Sequence, residues 1–155
     1  MPAQSAGLLM YHRRNGEVCV LLVHPGGPYW RRRDLGAWSV PKGEYGPGED
    51  PETVARREFR EEIGAEVPGE ARYLGEVVQA GGKRLVAYAL EGDLDVSSIE
   101  SNTFEIEWPP HSGRRENFPE VDRAEWFPLH LAREKILQAQ RPLLDYVEEI
   151  AAGER

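Results

Sequence analysis

The stretch Gly43–Ala65, GEYGPGEDPETVARREFREEIGA, decides the fold, and seven of its positions matter most: Gly43, Glu49, Arg57, Glu58, Glu61, Glu62 and Gly64. It opens as a Gly-rich loop and continues as a helix. Asp50 is a good N-cap, Pro51 suits the first turn, and Glu52 lies at the positive end of the helix dipole. Gly64 is placed to end the helix in a left-handed conformation. The helix expected is therefore Pro51 to Ile63. At about 100° per residue, Ala55, Phe59 and Ile63 stack into one apolar stripe that must face a core. Glu58, Glu61 and Glu62 project from an adjoining arc at spacings of three and four. Like charges so placed repel, and a cation among them removes that penalty. All-oxygen donors suit a hard divalent ion, Mg2+ or Mn2+. Arg57 points elsewhere, where a bidentate pairing with Glu49 would clamp loop to helix. The plainer reading is a solvated acidic face with Arg56, Arg57 and Arg60 as ordinary ion-pair partners.

All seven positions follow, without a gap, the pattern G-x5-E-x7-R-E-U-x-E-E-x-G-U, where U is apolar. The sequence thereby resembles the Nudix hydrolases. It departs only in size at the two apolar positions, which hold Phe59 and Ala65 instead of Ile, Leu or Val. The resemblance implies an α+β fold, an α/β/α sandwich with a mixed β-sheet between helices, and one domain spanning residues 1–155. It also implies a metal-dependent pyrophosphohydrolase. Carried over residue by residue, it makes Glu58 and Glu62 the chief metal ligands and Glu61 a further one. The backbone near Lys42 and Gly43 would add a carbonyl ligand. Arg57 and Glu49 would organise the site. The general base is one of these carboxylates or a glutamate outside the box, Glu116 or Glu120. Glu120 lies six residues before Trp126, as in the diadenosine tetraphosphate hydrolases. The lead-in WSVPKG and the run EFREEIG look like the same group. The tyrosine that group carries shortly past its box is absent, and Ala80–Gly82 stands in its place. ADP-ribose, nucleoside triphosphates and inositol polyphosphates are the other substrates such a site takes, and a nucleotide sensor without turnover is the alternative from another class.

The remaining chain frames this centre. Its 155 residues suffice for one domain with a proper core. A net charge of −8 argues against a nucleic-acid polymer or an anionic membrane as partner, but not against a small nucleotide, because a bound metal reverses the local field. The single cysteine, Cys19, sits in an apolar run and reads as a small buried hydrophobe. With no signal peptide or membrane-length apolar run visible, a reducing, cytoplasmic setting is expected.

Before the box, Ser5–Tyr11 and Glu17–His24 read as strands joined at Asn15-Gly16, a strong hairpin signal. Pro25–Leu35 reads as an exposed loop and Ala37–Val40 as a short strand. After the box, Ala71–Gln79 and Lys83–Glu91 read as strands around a turn at Ala80–Gly82. Asp93–Asn102 reads as loop, Thr103–Trp108 as a half-buried strand and Pro109–Pro119 as another long loop. Val121–Pro128 is a strand, Leu129–Ile136 and Arg141–Ala151 are helices, and Gly153–Arg155 a frayed end. Strands on both sides of one helix, with further helices at the end, give α+β or mixed-sheet α/β.

Candidate substrate contacts lie around the box. Lys42 meets a phosphate or is a surface lysine; Arg31, Arg32 and Arg33 grip a polyphosphate tail or are solubilising charge, and Arg114 and Arg115 pose the same choice. Tyr29, Trp30 and Trp38 are candidates for stacking on a base. Tyr88, Trp38 and Trp126 line a pocket or pack in the core. His24 reads as a structural hydrogen-bonding histidine.

Overall fold

The computed structural model describes residues 3–97 and 99–153. Glu154 and Arg155, two of the three residues of the expected frayed end, lie outside the described residues, as does Ser98 in the Asp93–Asn102 loop.

Strands β1 (Gln4–Arg14) and β2 (Glu17–Pro25) form the expected antiparallel pair, with Arg14 opposite Glu17. Asn15 and Gly16 both take positive φ, 53° and 80°, as a two-residue turn of matching twist requires. β3 (Lys42–Tyr45) pairs with the start of β1, so the box opens as a strand and not as the loop expected from its glycines. Helix α1 spans Pro51–Ile63 as expected. The Asp50 carboxylate accepts from the Thr53 N–H at 3.0 Å, and Gly64 closes the helix with φ 86°. β4 (Arg72–Val78) and β5 (Arg84–Glu91) follow, separated by a short 3-10 turn at Ala80–Gly82. Next come β6 (Thr103–Glu107), β7 (Arg115–Pro119), β8 (Val121–Pro128), α2 (Leu129–Lys135) and α3 (Arg141–Ala151).

The main sheet runs β4-β5-β1-β2-β8, with β3 attached to β1. β1 and β5 are parallel and the other pairs antiparallel, so the sheet is mixed. Alternation along β1 divides its side chains between two layers. Ala6, Leu8 and Met10 join Val54, Ala55, Phe59 and Ile63 of α1. Leu9 and Tyr11 join Leu143, Leu144, Val147 and Ile150 of α3 and Ala132 of α2 on the opposite face. This is the α/β/α sandwich, and it holds α1 rigidly by its apolar stripe.

Two further expectations need correction. Ala37–Val40 is not a strand of the sheet: Ser39 bridges Val23, while Trp38 bridges Ile136 on the other side. Trp38 exchanges its backbone bonds with Lys135 and Leu137, and Ser39 exchanges its own with Val23, so adjacent residues turn to different partners and no ladder forms. The Pro109–Pro119 loop is too long by its second half, because Arg115–Pro119 is β7 and pairs with β6 in a separate two-stranded sheet. Its charged residues face solvent and hide the alternation. The turn between β6 and β7 is tied by the Glu107 carboxylate, which accepts from the His111 and Gly113 N–H groups at 3.0 and 3.2 Å.

Candidate active site

The carboxylate arc of α1 lies against β3. The Lys42 backbone N–H donates to Glu62 Oε2 at 3.2 Å. One residue on, the Glu58 carboxyl occupies the space where any side chain at 43 would stand: a Cβ there falls 2.1 Å from its carboxyl carbon. Gly43 is required by this close approach, which ties the first position of the box to the helix.

Burial works against charge here. It raises the Glu62 carboxyl, with Glu58 adding to the effect and Lys42 opposing it, to about 8. Glu58 is raised by burial and by Glu61, against the opposing Arg57. Glu120, at the end of the β7–β8 connection, raises both. Lys42 is lowered by burial, while Glu62 pulls it the other way. Glu58 and Glu62 therefore ionise less readily unless positive charge is added beside them.

Among the described residues, no three histidine, cysteine or acidic side chains stand together as a ready metal cluster. The reason is visible in the contacts. Glu62 is turned to the Lys42 N–H, and Glu58 lies on Gly43 with Arg57 Nη2 3.8 Å away. The donor set nevertheless fits a hard divalent cation: it is all oxygen, crowded and short of positive charge.

Arg57 and Glu49 meet, but not as a bidentate clamp. One guanidinium nitrogen donates to Glu49 Oε2 at 3.3 Å, while Glu49 Oε1 accepts from the Gly46 N–H at 2.9 Å. Glu49 thus divides its oxygens between helix and loop, which ties the two with one bond each.

Lys42, Glu62 and Glu120 share a cavity of about 220 Å3 that Trp30 also lines. Trp30 and Glu120 continue into a second opening of about 360 Å3, with Tyr29, Phe104 and Ile106 on its walls. The loop carrying Tyr29 and Trp30 is anchored from below. Buried His24 faces Asp122 Oδ1 through Nδ1 at 2.8 Å and the Arg33 carbonyl through Nε2 at 2.6 Å, a structural role as expected. Trp38 is core, and its indole N–H donates to Asp34 at 2.9 Å.

Other candidates lie elsewhere. Arg31 and Arg32 are exposed and line neither of these cavities. Tyr88 packs with Tyr73 and with the apolar cluster under α1, and lines neither cavity. Trp126 donates to the Leu94 carbonyl and stacks on His12. Glu116 is an exposed β7 residue, and Arg115 pairs with Glu105 across the same hairpin. The sequence reading passed over Phe104 and Ile106; their alternation with Thr103, Glu105 and Glu107 was the available signal.

A profile of the NUDIX domain matches residues 1–147. The chain belongs to the Nudix family. It carries every charged and glycine position of the family's box, from Gly43 to Gly64. Over 66 residues it is 41% identical to an RNA pyrophosphohydrolase of Rhodospirillum rubrum, a match covering 41% of this chain and 38% of that protein's length. Solved structures of this Nudix fold include the NUDIX domain of Shewanella oneidensis NrtR complexed with ADP ribose, at TM-score 0.67 and 17% identity over 97% of this chain and 89% of that one. A C. elegans Ap4A hydrolase follows at TM-score 0.61 and 22% identity, over 97% and 98%. Among the described residues no helix is long and apolar enough to cross a membrane.

Proposed function

We propose that this Nudix protein is a metal-dependent hydrolase of a phosphoanhydride bond in a nucleoside diphosphate derivative, a dinucleoside polyphosphate such as diadenosine tetraphosphate being the first candidate. The observation that carries the proposal is the crowding of Glu58, Glu62 and Glu120 around Lys42 and Gly43, with both helix carboxyls raised by burial and by their neighbours. Glu58, Glu61 and Glu62 would hold Mg2+ or Mn2+, with the Lys42–Gly43 backbone beside them. A hard divalent ion there withdraws charge from phosphate oxygens and lowers the pKa of water.

The chain's own residues do the rest. Lys42 offers a partly buried ammonium to a phosphate oxygen in the cavity it shares with Glu62 and Glu120. Arg57 and Glu49 hold the loop against α1 and so keep Glu58 in place. A glutamate of the set takes the proton of the attacking water, and Glu120 has the advantage of facing both cavities. Phosphoryl transfer is mostly positioning and charge stabilisation, so these parts suffice. The partial identity to an RNA pyrophosphohydrolase supports phosphoanhydride chemistry, while the net charge of −8 favours a small nucleotide over a polymer. The full set of box carboxylates favours turnover over sensing.

The test is a panel of diadenosine polyphosphates, ADP-ribose, nucleoside triphosphates and inositol polyphosphates with Mg2+, products resolved by chromatography. Release of ATP from diadenosine tetraphosphate is the expected result. Preference for another member replaces the substrate and keeps the chemistry; no metal-dependent turnover of any member overturns the proposal.

A further inference from the structure

The β6–β7 hairpin stands apart from the main sheet and brings one apolar face to the Pro25–Trp30 segment. Phe104, Ile106 and Trp108 alternate on that face, all half-buried, while Thr103, Glu105 and Glu107 point to solvent. Two glycines let the opposite wall come close. A Cβ on Gly26 would lie 2.0 Å from the Pro119 carbonyl oxygen, and one on Gly27 would lie 2.9 Å from the tip of the Phe104 ring. Gly27 also holds φ 97°, which an L side chain rarely adopts. The Gly26 N–H donates to the Glu120 carbonyl at 2.9 Å, and the Glu120 N–H to the Asn102 carbonyl at 2.8 Å, so loop, hairpin base and Glu120 are stitched together.

Between the walls lies the opening of about 360 Å3, bounded by Gly27, Tyr29, Trp30, Phe104 and Ile106, with Glu120 at one end. Tyr29 is 63% exposed, yet its ring is held edge-on to Trp108 at 5.4 Å. Exposed Tyr29 and half-buried Phe104 and Trp30 lining one opening are an arrangement that takes a planar ring. The same opening shares Pro25, Trp30 and Glu120 with the cavity of Lys42 and Glu62. A ring seated between the walls therefore directs its substituent past Glu120 toward the carboxylates.

We infer that the cleft between the Pro25–Trp30 segment and β6 is a nucleobase subsite, in which Phe104 and Ile106 of the hairpin form the specificity-determining wall opposite Tyr29. The inference rests on the nucleotide reading proposed above and adds residues outside the box to it. The ring is bound by stacking and apolar contact, which every base offers, so discrimination is between substrates with and without a base.

The experiment uses neutral nucleosides, so that neither metal nor turnover is needed. Adenosine, guanosine and uridine are titrated into the 15N-labelled protein in EDTA, with ribose as the base-free control. The nucleosides are expected to shift the Gly26 and Gly27 amide resonances, and ribose to leave them unmoved. Phe104→Leu and Tyr29→Leu should each raise the nucleoside dissociation constant roughly five- to a hundredfold, while Tyr29→Phe, which keeps the ring, restores wild-type binding. Tyr29 is exposed, so its variants report binding even if Phe104→Leu loosens the hairpin. In the coupled kinetic test, Phe104→Leu raises KM for the nucleotide substrate far more than it lowers kcat, and narrows the preference for nucleotide over inositol polyphosphate. Nucleoside shifts elsewhere, no nucleoside binding, or unchanged binding in both leucine variants overturns the subsite. Absence of turnover with normal nucleoside binding overturns the catalytic proposal instead and leaves the subsite standing.

Discussion

Helix α1 buries Val54, Ala55, Phe59 and Ile63 completely, whereas neither strand of the β6–β7 hairpin buries a single residue to that degree. The helix reaches the cavity of Lys42 through Glu62, and the hairpin walls the opening that adjoins it. The helix is held by core packing, so its carboxylates have fixed positions; the hairpin is held by its own ladder, by Phe104 against Gly27 and by the Glu120 backbone bonds. Reaction chemistry tolerates little misplacement and belongs on the rigid element. Recognition of a ring face tolerates more, and an element outside the main sheet can supply it.

The comparison breaks most directly through stability. Phe59→Ala should cost about 3–5 kcal/mol in denaturant unfolding, and the half-buried Ile106→Ala about 1 kcal/mol; equal losses would mean the hairpin is part of the main core. Next, Glu62→Gln should lower kcat at least about a hundredfold while its circular dichroism and melting stay those of a folded chain. Near-normal turnover would remove Glu62 from the site. Arg57→Ala should lower kcat roughly tenfold or more, because only one hydrogen bond joins it to Glu49; unchanged kinetics would show that the tie does not orient Glu58.

The smallest effect concerns pH. The folded value of Glu62, about 8, lies above its ordinary 4.5, so the folded chain binds that proton more tightly than the unfolded one. Its contribution to stability is present below about 4.5 and is lost as pH rises to about 8. Thermal melts in EDTA should therefore show wild type losing more stability than Glu62→Gln between pH 5 and 8. Mg2+ should return the lost stability to the wild type at the alkaline end. Parallel pH curves for the two proteins would mean that Glu62 is not held protonated.

Legibility followed locality. The limits of α1, its Asp50 cap and its Gly64 stop were readable because each depends on residues within one turn. β8 and α3 were readable at their full extents for a related reason: apolar periodicity in each states which face is buried. β7 was not, since RENFP pairs only with β6 and shows solvent nearly everything it has. Tyr88 read equally well as pocket or core, and only the sheet register, which sets it opposite Leu8 of β1 and Tyr73 of β4, placed it under α1.

The sequence by itself determined the helix, its arc of carboxylates, the glycine at 43 and the family, because helix geometry turns spacing directly into direction. Why position 43 must be glycine, how Glu120 comes to the helix from 58 residues beyond Glu62, and which aromatics wall the neighbouring cleft were decided only by tertiary structure. Those contacts join segments far apart in the chain, and no local preference records the distance between them.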